Sequence, residues 1–239
     1  ARDQFLSIAS HELRTPVTSV QGYTELLLRA HARGWPDPAR TARYLQALEG
    51  GTKRLAALTQ DLLDVSRLHS GQFPLRSRPF DLAALAARGV AAFRDRLGSG
   101  HTLTVETACN DCPLVGDPDR LEQVLTNLLE NAVKYSPDGG PIRVMVRPDD
   151  AGMLLAVRDE GIGLPPGLAE AIFVPFGRAP NAAGRQIPGL GLGLHICREI
   201  VERHGGRIWA ESAGEGRGTT VNVWLPAGNA DGRSKPVPE

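Results

Sequence analysis

The chain has 239 residues, 41% hydrophobic and 23% charged, with 27 basic and 27 acidic side chains and a formal net charge of zero. That balance excludes broad electrostatic capture of nucleic acid or acidic membrane, though not a local patch. No apolar run approaches the roughly 20 residues of a membrane-spanning helix, and no signal peptide opens the chain. The sequence starts at Ala1 already inside a helical pattern, so it is expected to be a fragment of a longer protein.

Residues 1–69 repeat with a helical period. Leu6, Leu13, Val20 and Leu27 recur every seventh residue, and Leu48, Leu55 and Leu62 resume the pattern after "HARGWPDPAR". Gly51, Leu58 and Val65 follow three places later in each heptad. Gly34, Pro36 and Pro38 make the interruption a turn. Two long helices with narrow apolar seams predict an antiparallel hairpin. One hairpin cannot surround its own seam, so a second copy is expected to complete a four-helix bundle as a homodimer. His11 lies about 140° around the helix from Leu6, off the seam and open to an incoming domain. Imidazole titrates near neutrality, and the neighbouring Glu12 can fix its tautomer. Pro16 cannot donate to the carbonyl of Glu12, so the helix is expected to bend just after His11.

"HSGQFPLRSRPFD" breaks the heptads with Gly71, Pro74 and Pro79, and residues 70–80 read as a linker with a short strand. From 81 to 226 the pattern alternates. A helix at about 81–97 precedes the strand "HTLTVET", then "PLVGD" and a helix at about 117–135. The strands "PIRVMVRP" and "MLLAVRD" follow, then a short helix at about 166–172, an irregular stretch and a helix at about 189–204. "RIWAES" and "TTVNVWLP" close the sheet, and residues 227–239 read as a disordered tail. The predicted class is α+β, a helical hairpin followed by an α/β sandwich with helices on one face of a mixed sheet. Cys109 and Cys112 form a CxxC in "ACNDCP" without further zinc ligands nearby, and read as a plain turn between strands. The low cysteine usage suits a reducing cytoplasm.

The helix "DRLEQVLTNLLENAVKY" carries the first chemical signal. Leu121, Leu125, Leu128 and Ala132 share one face; Gln123, Asn127, Glu130, Asn131 and Lys134 fall opposite. Asparagine is a mediocre helix former, yet Asn127 and Asn131 stand one turn apart. Carboxamide oxygens suit a hard cation such as Mg²⁺, and Lys134 suits phosphate charge. In "RDEGIGLP", Asp159 ends a strand and can accept from an exocyclic amine, while Gly161 and Gly163 let a flat base approach the backbone. In "PGLGLGLHICREIV", Gly189, Gly191 and Gly193 open a helix whose first N–H groups favour phosphate. Neither GxGxxG nor GK[ST] occurs here, which excludes the Rossmann and P-loop readings. Between these segments "PFGRAPNAAGRQIP" reads as a mobile loop that closes over a ligand. Arg178 is its candidate phosphate contact, Arg185 a solvated loop residue, and Phe173 and Phe176 anchor its base.

Together these motifs resemble the catalytic core of a bacterial sensor histidine kinase. "SHELRTP" resembles the family's H-box, "NLLENAVKYSP" the N-box, "DEGIG" the G1 box, "FVPFGR" the F-box, "GLGLGL" the G2 box and "GRGTTVNVWLP" the closing strand. The resemblance covers about residues 1–226. It implies a dimerisation and phosphotransfer hairpin over 1–69 and a Bergerat-type (GHKL) ATP-binding domain over 81–226. ATP and Mg²⁺ are the implied cofactors. His11 would be the phosphoacceptor, Glu12 the base that orients it and draws away its proton, and Thr15 the position used in dephosphorylating a partner. Asn131 would ligate Mg²⁺ with Asn127 assisting, and Lys134 and Tyr135 would line the phosphate and sugar side. Asp159 would bind the adenine amine between Gly161 and Gly163, with Thr219 at the same end. Gly189, Gly191 and Gly193 would border the phosphates and hinge the lid.

The implied activity is autophosphorylation of His11 and transfer of the phosphoryl group to an aspartate on a response regulator receiver domain. The implied place is the cytoplasm, with any membrane anchor upstream and no direct membrane or nucleic-acid contact. The alternative is a regulator phosphatase or nucleotide-binding scaffold with weak autokinase activity. A gyrase-type ATPase is disfavoured, because those relatives carry a glutamate where this chain has Asn127.

Overall fold

The computed structural model describes residues 2–32, 34, 38–70, 73–95, 97–98, 100–109, 111–177, 179–184 and 190–227, with backbone only at 2–8, 11, 69 and 183–184. The chain divides into two compact units, residues 1–72 and 73–239.

The first unit is a hairpin of α1 (Arg2–Ala32) and α2 (Pro38–His69). Proline suits the first turn of a helix, where its missing N–H has no partner to lose, and Pro38 opens α2. Pro16 sits buried inside α1. Ala9, Leu58, Val65 and Leu68 form the buried part of the seam. Gly51 sets how closely the helices approach, since a Cβ there would come within 2.7 Å of Val20 Cγ2. Leu26, Leu28, Leu45 and Leu63 stay 41% to 64% exposed, more apolar surface than a finished core leaves.

The second unit runs β1 (Arg78–Asp81), α3 (Leu82–Arg94), β2 (His101–Thr107), β3 (Pro113–Gly116), α4 (Pro118–Lys134), β4 (Gly140–Asp149) and β5 (Gly152–Arg158). A 3₁₀ turn (Ala171–Phe173), α5 (Pro180–Gly184), α6 (Gly193–Arg203), β6 (Arg207–Glu211) and β7 (Thr220–Pro226) complete it. The main sheet has the order β2-β4-β5-β7-β6, with β2 parallel to β4 and the other pairs antiparallel. α3, α4 and α6 pack on it, and Ile142, Val144 and Val146 of β4 alternate inward toward them. No helix among the described residues is long and apolar enough to cross a membrane.

Two expectations need correction. The short helix at 166–172 is absent; turns lead instead to the single 3₁₀ turn. Pro165 and Pro166 lack N–H donors, and Gly167 sits at φ +79°, where a right-handed helix cannot continue. The short strand expected within 70–80 is present as β1, which pairs with β3 apart from the main sheet, Pro79 opposite Val115. Pro79 is tolerated because a two-stranded ribbon consists of edges. Finally, the turn holding Cys109 and Cys112 is closed by a disulfide between them, while Cys197 is a buried thiol. That turn also starts α3. The Cys112 N–H donates to Asp81 Oδ2 and its carbonyl accepts from Leu82 N, each at 2.9 Å. Asp81 Oδ1 meanwhile caps the helix by accepting from Ala84 N.

One end of α4 and α6 is tied together. Asp117 caps α4, its Oδ1 accepting from Asp119 N at 3.1 Å and Arg120 N at 3.2 Å. Its Oδ2 accepts from Arg76 N at 2.9 Å, which fixes the connector. The Asp117 N–H donates to His204 Nε2 at 2.9 Å, and His204 Nδ1 donates to Ile200 O at 2.7 Å. Phe73, 3% exposed, lies beneath the guanidinium of Arg120 at 4.3 Å, with that of Arg203 at 5.7 Å.

Candidate nucleotide-binding site

α4 is amphipathic with one anomaly. Leu121, Leu125, Leu128 and Leu129 bury its inner face, while Asn127 and Asn131 are half-buried on another. Asn131 Nδ2 donates to Asn127 Oδ1 at 3.1 Å. The pair therefore holds itself in register and leaves Asn131 Oδ1 as the oxygen available to a ligand. α6 begins beside it. A Cβ at Gly193 would come within 2.5 Å of Asn127 Oδ1, so any larger residue there would push the Asn127 carboxamide aside. Leu192 stands at the N-cap and offers no side-chain acceptor. The N-cap residue thus supplies no side-chain acceptor to the α6 start, a condition under which a helix start attracts an anion.

Asp159, at the end of β5, is 7% exposed. Its Oδ1 accepts from Gly161 N at 2.9 Å and Thr219 N at 3.2 Å, which leaves Oδ2 for a ligand. Burial pushes its carboxyl above the ordinary carboxylate range, and the two N–H donors offset this only in part. The glycines after it are steric necessities. A Cβ at Gly161 would lie 2.1 Å from Tyr135 O, and one at Gly163 (φ +63°) 2.1 Å from Gly214 O. Ser212 locks this loop, its Oγ accepting from Leu164 N at 3.0 Å and donating to Gly218 O at 2.7 Å.

These elements enclose one cavity. Leu128, Ala132, Val157, Ile172 and Val221 make apolar walls, and Asn131, Tyr135, Asp159, Asn181 and Thr219 supply polar atoms. This is the composition of a site for a flat, amphipathic ligand. Its free volume is only about 60 Å³, because α5 is folded against it. Ala182 packs with Ile162 and Tyr135. Asn181 Nδ2 donates to Gly163 O at 3.0 Å and Ile162 O at 3.4 Å. Asn181 Oδ1 is buried without a partner among the described residues, an orphan that a ligand could satisfy. The foot of the loop is anchored as its aromatics suggest. Phe173 is fully buried under the Arg198 guanidinium at 4.6 Å. Phe176, at φ +63°, donates its N–H to Gly191 O at 3.0 Å.

Of the residues singled out from the sequence, Asn131, Tyr135, Asp159, Gly163 and Thr219 line the cavity, and Asn127, Gly161, Gly191 and Gly193 border it. Lys134 does not line it; its Nζ lies over the Tyr135 ring at 4.8 Å. Arg178, Arg185 and Gly189 lie outside the described residues, as does the side chain of His11. Glu12 and Thr15 belong to the hairpin; Glu12 pairs with Arg54, and Thr15 is exposed. Asn181 and Ser212 were not anticipated. Asn181 lies in the loop read as closing over a ligand and Ser212 at the end of the strand "RIWAES", and neither residue was itself singled out.

Comparison with known proteins agrees with this architecture. Residues 116–229 match the family described as "Histidine kinase-, DNA gyrase B-, and HSP90-like ATPase". Residues 1–71 match "His Kinase A (phospho-acceptor) domain". The circadian input-output histidine kinase CikA of Synechococcus elongatus is 37% identical over 229 residues, 95% of this chain and 30% of its own length. The solved structure of Acinetobacter baumannii histidine kinase AdeS superposes with a TM-score of 0.68 at 26% identity, covering 92% of this chain and 98% of that one. Histidine kinase ThkA, solved in complex with response regulator protein TrrA, gives 0.69 at 25% identity over 94% of this chain and 61% of that one. The chain belongs to the histidine kinase family, as a protein histidine kinase core whose second unit is an ATP-using domain of the GHKL type. It spans about a third of the length of the sensor kinases it matches.

Proposed function

We propose that this chain autophosphorylates on His11 with ATP and passes the phosphoryl group to an aspartate of a response regulator. The observation that carries the reading is the gathering of Asp159, Asn131 and Thr219 around one cavity beside an uncapped helix start, in a chain that also holds a His-Glu pair on a helical hairpin. Asp159 Oδ2 accepts from the adenine amine, and the α6 N–H groups meet the phosphates. Asn131 Oδ1, backed by Asn127, is a hard oxygen donor that suits Mg²⁺. Among the described residues no group of three or more His, Cys, Asp and Glu competes for the metal. Bound there, Mg²⁺ would neutralise charge on the phosphates.

In the transfer, one imidazole nitrogen of His11 forms a bond to the γ-phosphorus while the bond from that phosphorus to ADP breaks. The electron pair leaves with ADP, and the proton on the other ring nitrogen passes to Glu12. The exposed leucines of the hairpin support a homodimer. The match to a kinase solved with a response regulator supports a receiver domain as partner. Thr15, one turn after His11, is the residue we assign to regulator dephosphorylation. The hairpin is assigned to 1–69, the connector to 70–80 and the catalytic domain to 81–226, working in the cytoplasm where ATP is held. Incubation with γ-labelled ATP and Mg²⁺ should give an acid-labile, base-stable phosphate that His11→Gln abolishes. Label that survives His11→Gln would overturn the assignment.

A further inference from the structure

Glu12 is tethered. Its Oε2 accepts from Nη2 of Arg54 at 3.0 Å, across the seam from α1 to α2 and 42 residues away in the chain. The two side chains are only 22% and 35% exposed. Two other ion pairs of the hairpin, Arg29–Glu25 and Lys53–Glu49, run along single helices and are largely exposed. Exposed pairs of that kind hold nothing firmly, whereas a shielded, charge-assisted bond between two helices fixes both ends. The reach is built in. Gly51, one turn before Arg54, meets Val20 and the Pro16 carbonyl, one turn after Glu12. The close approach that Gly51 permits is what brings Arg54 to Glu12.

We infer that Arg54 is a positioning residue for Glu12 during phosphorylation of His11. The inference rests on the role given to Glu12 above. A glutamate on a helix surface samples many rotamers, and a proton acceptor that must be found among them slows the transfer. Arg54 engages Oε2 and leaves Oε1 to accept from the imidazole of the preceding residue. It takes no proton and touches no phosphate.

The test is a cycle of variants in the intact chain, read as initial autophosphorylation rate and as KM for ATP. Arg54→Met should slow the rate at saturating ATP roughly 10-fold and leave KM unchanged, and Arg54→Lys should restore most of it. In a Glu12→Gln background, followed over hours, Arg54→Met should have no further effect. An equal loss from Arg54→Met in both backgrounds would show that Arg54 acts other than through Glu12 and overturn the inference. If Arg54→Met does not fold, Arg54→Gln runs the same cycle. A Glu12→Gln variant as fast as the parent would instead remove the role of Glu12 itself, so the two failures are distinguishable.

Discussion

Burial drives the carboxyl of Asp159 above its ordinary range, against the pull of the Gly161 and Thr219 N–H groups. In acid both folded and unfolded chains hold the proton, and burial has no electrostatic cost. As pH rises, the unfolded carboxyl ionises first. Above the raised value in the folded state, the native chain bears the full cost of a buried charge. Asp159→Asn removes that cost while keeping an oxygen for the two N–H groups. It also turns an amide NH₂ toward the adenine amine, donor against donor. At neutral pH the variant should therefore melt no lower than the parent yet bind ATP about tenfold more weakly or worse. Calorimetric titration and thermal melts check both, and any margin of the variant over the parent should shrink as pH falls through the raised value. Asp159 and Asn131 are legible in sequence because polar groups stand where periodicity leaves them no reason to be. Asn181 and Ser212 are not. "PNAAG" and "ESAGEG" are locally ordinary, and their roles exist only through bonds to Gly163 and Leu164, 18 and 48 residues away.

At the scale of elements, the helices that border the cavity depend on their far ends. α4 and α6 meet through His204 and Asp117, and Phe73 is wedged beneath Arg120 and Arg203. Phe73 is buried as fully as the core leucines, although it lies within what reads as a linker. Phe73→Ala removes a packed ring and its two cation–π contacts. It should destabilise the second unit by about 3 kcal/mol, measured by urea unfolding. Leucine at the same position should recover part of the loss. The connector is difficult to read because its order comes from elsewhere. β1 is a strand only because β3 lies opposite, and Arg76 is fixed by the cap of a helix 41 residues on. The main sheet and α3, α4 and α6 are legible because each carries its own apolar period. At 166–172 the alanines and glutamate favour a helix, but two prolines and Gly167 turn the chain first.

At the scale of the whole molecule, the two units are each compact, and neither is chemically complete. Among the described residues Asp159 is the only carboxylate lining the cavity, and its Oδ1 is already occupied by two N–H donors. Asn127, which borders the cavity, is a carboxamide and takes no proton, so it offers a water molecule no general base. On the proposed function, ATP held by the second unit is thereby kept from water until an imidazole arrives. Residues 73–227 expressed alone should bind an ATP analogue with the parent's affinity, take no label and release phosphate no faster than buffer. Adding the hairpin 1–72 should restore labelling at a rate proportional to its concentration. Covalent linkage supplies an effective concentration in the millimolar range, so at ten micromolar hairpin the mixture should run roughly 100-fold slower than the intact chain. Phosphate release by the isolated second unit at the intact chain's rate of ATP consumption would show that a base for water is present after all.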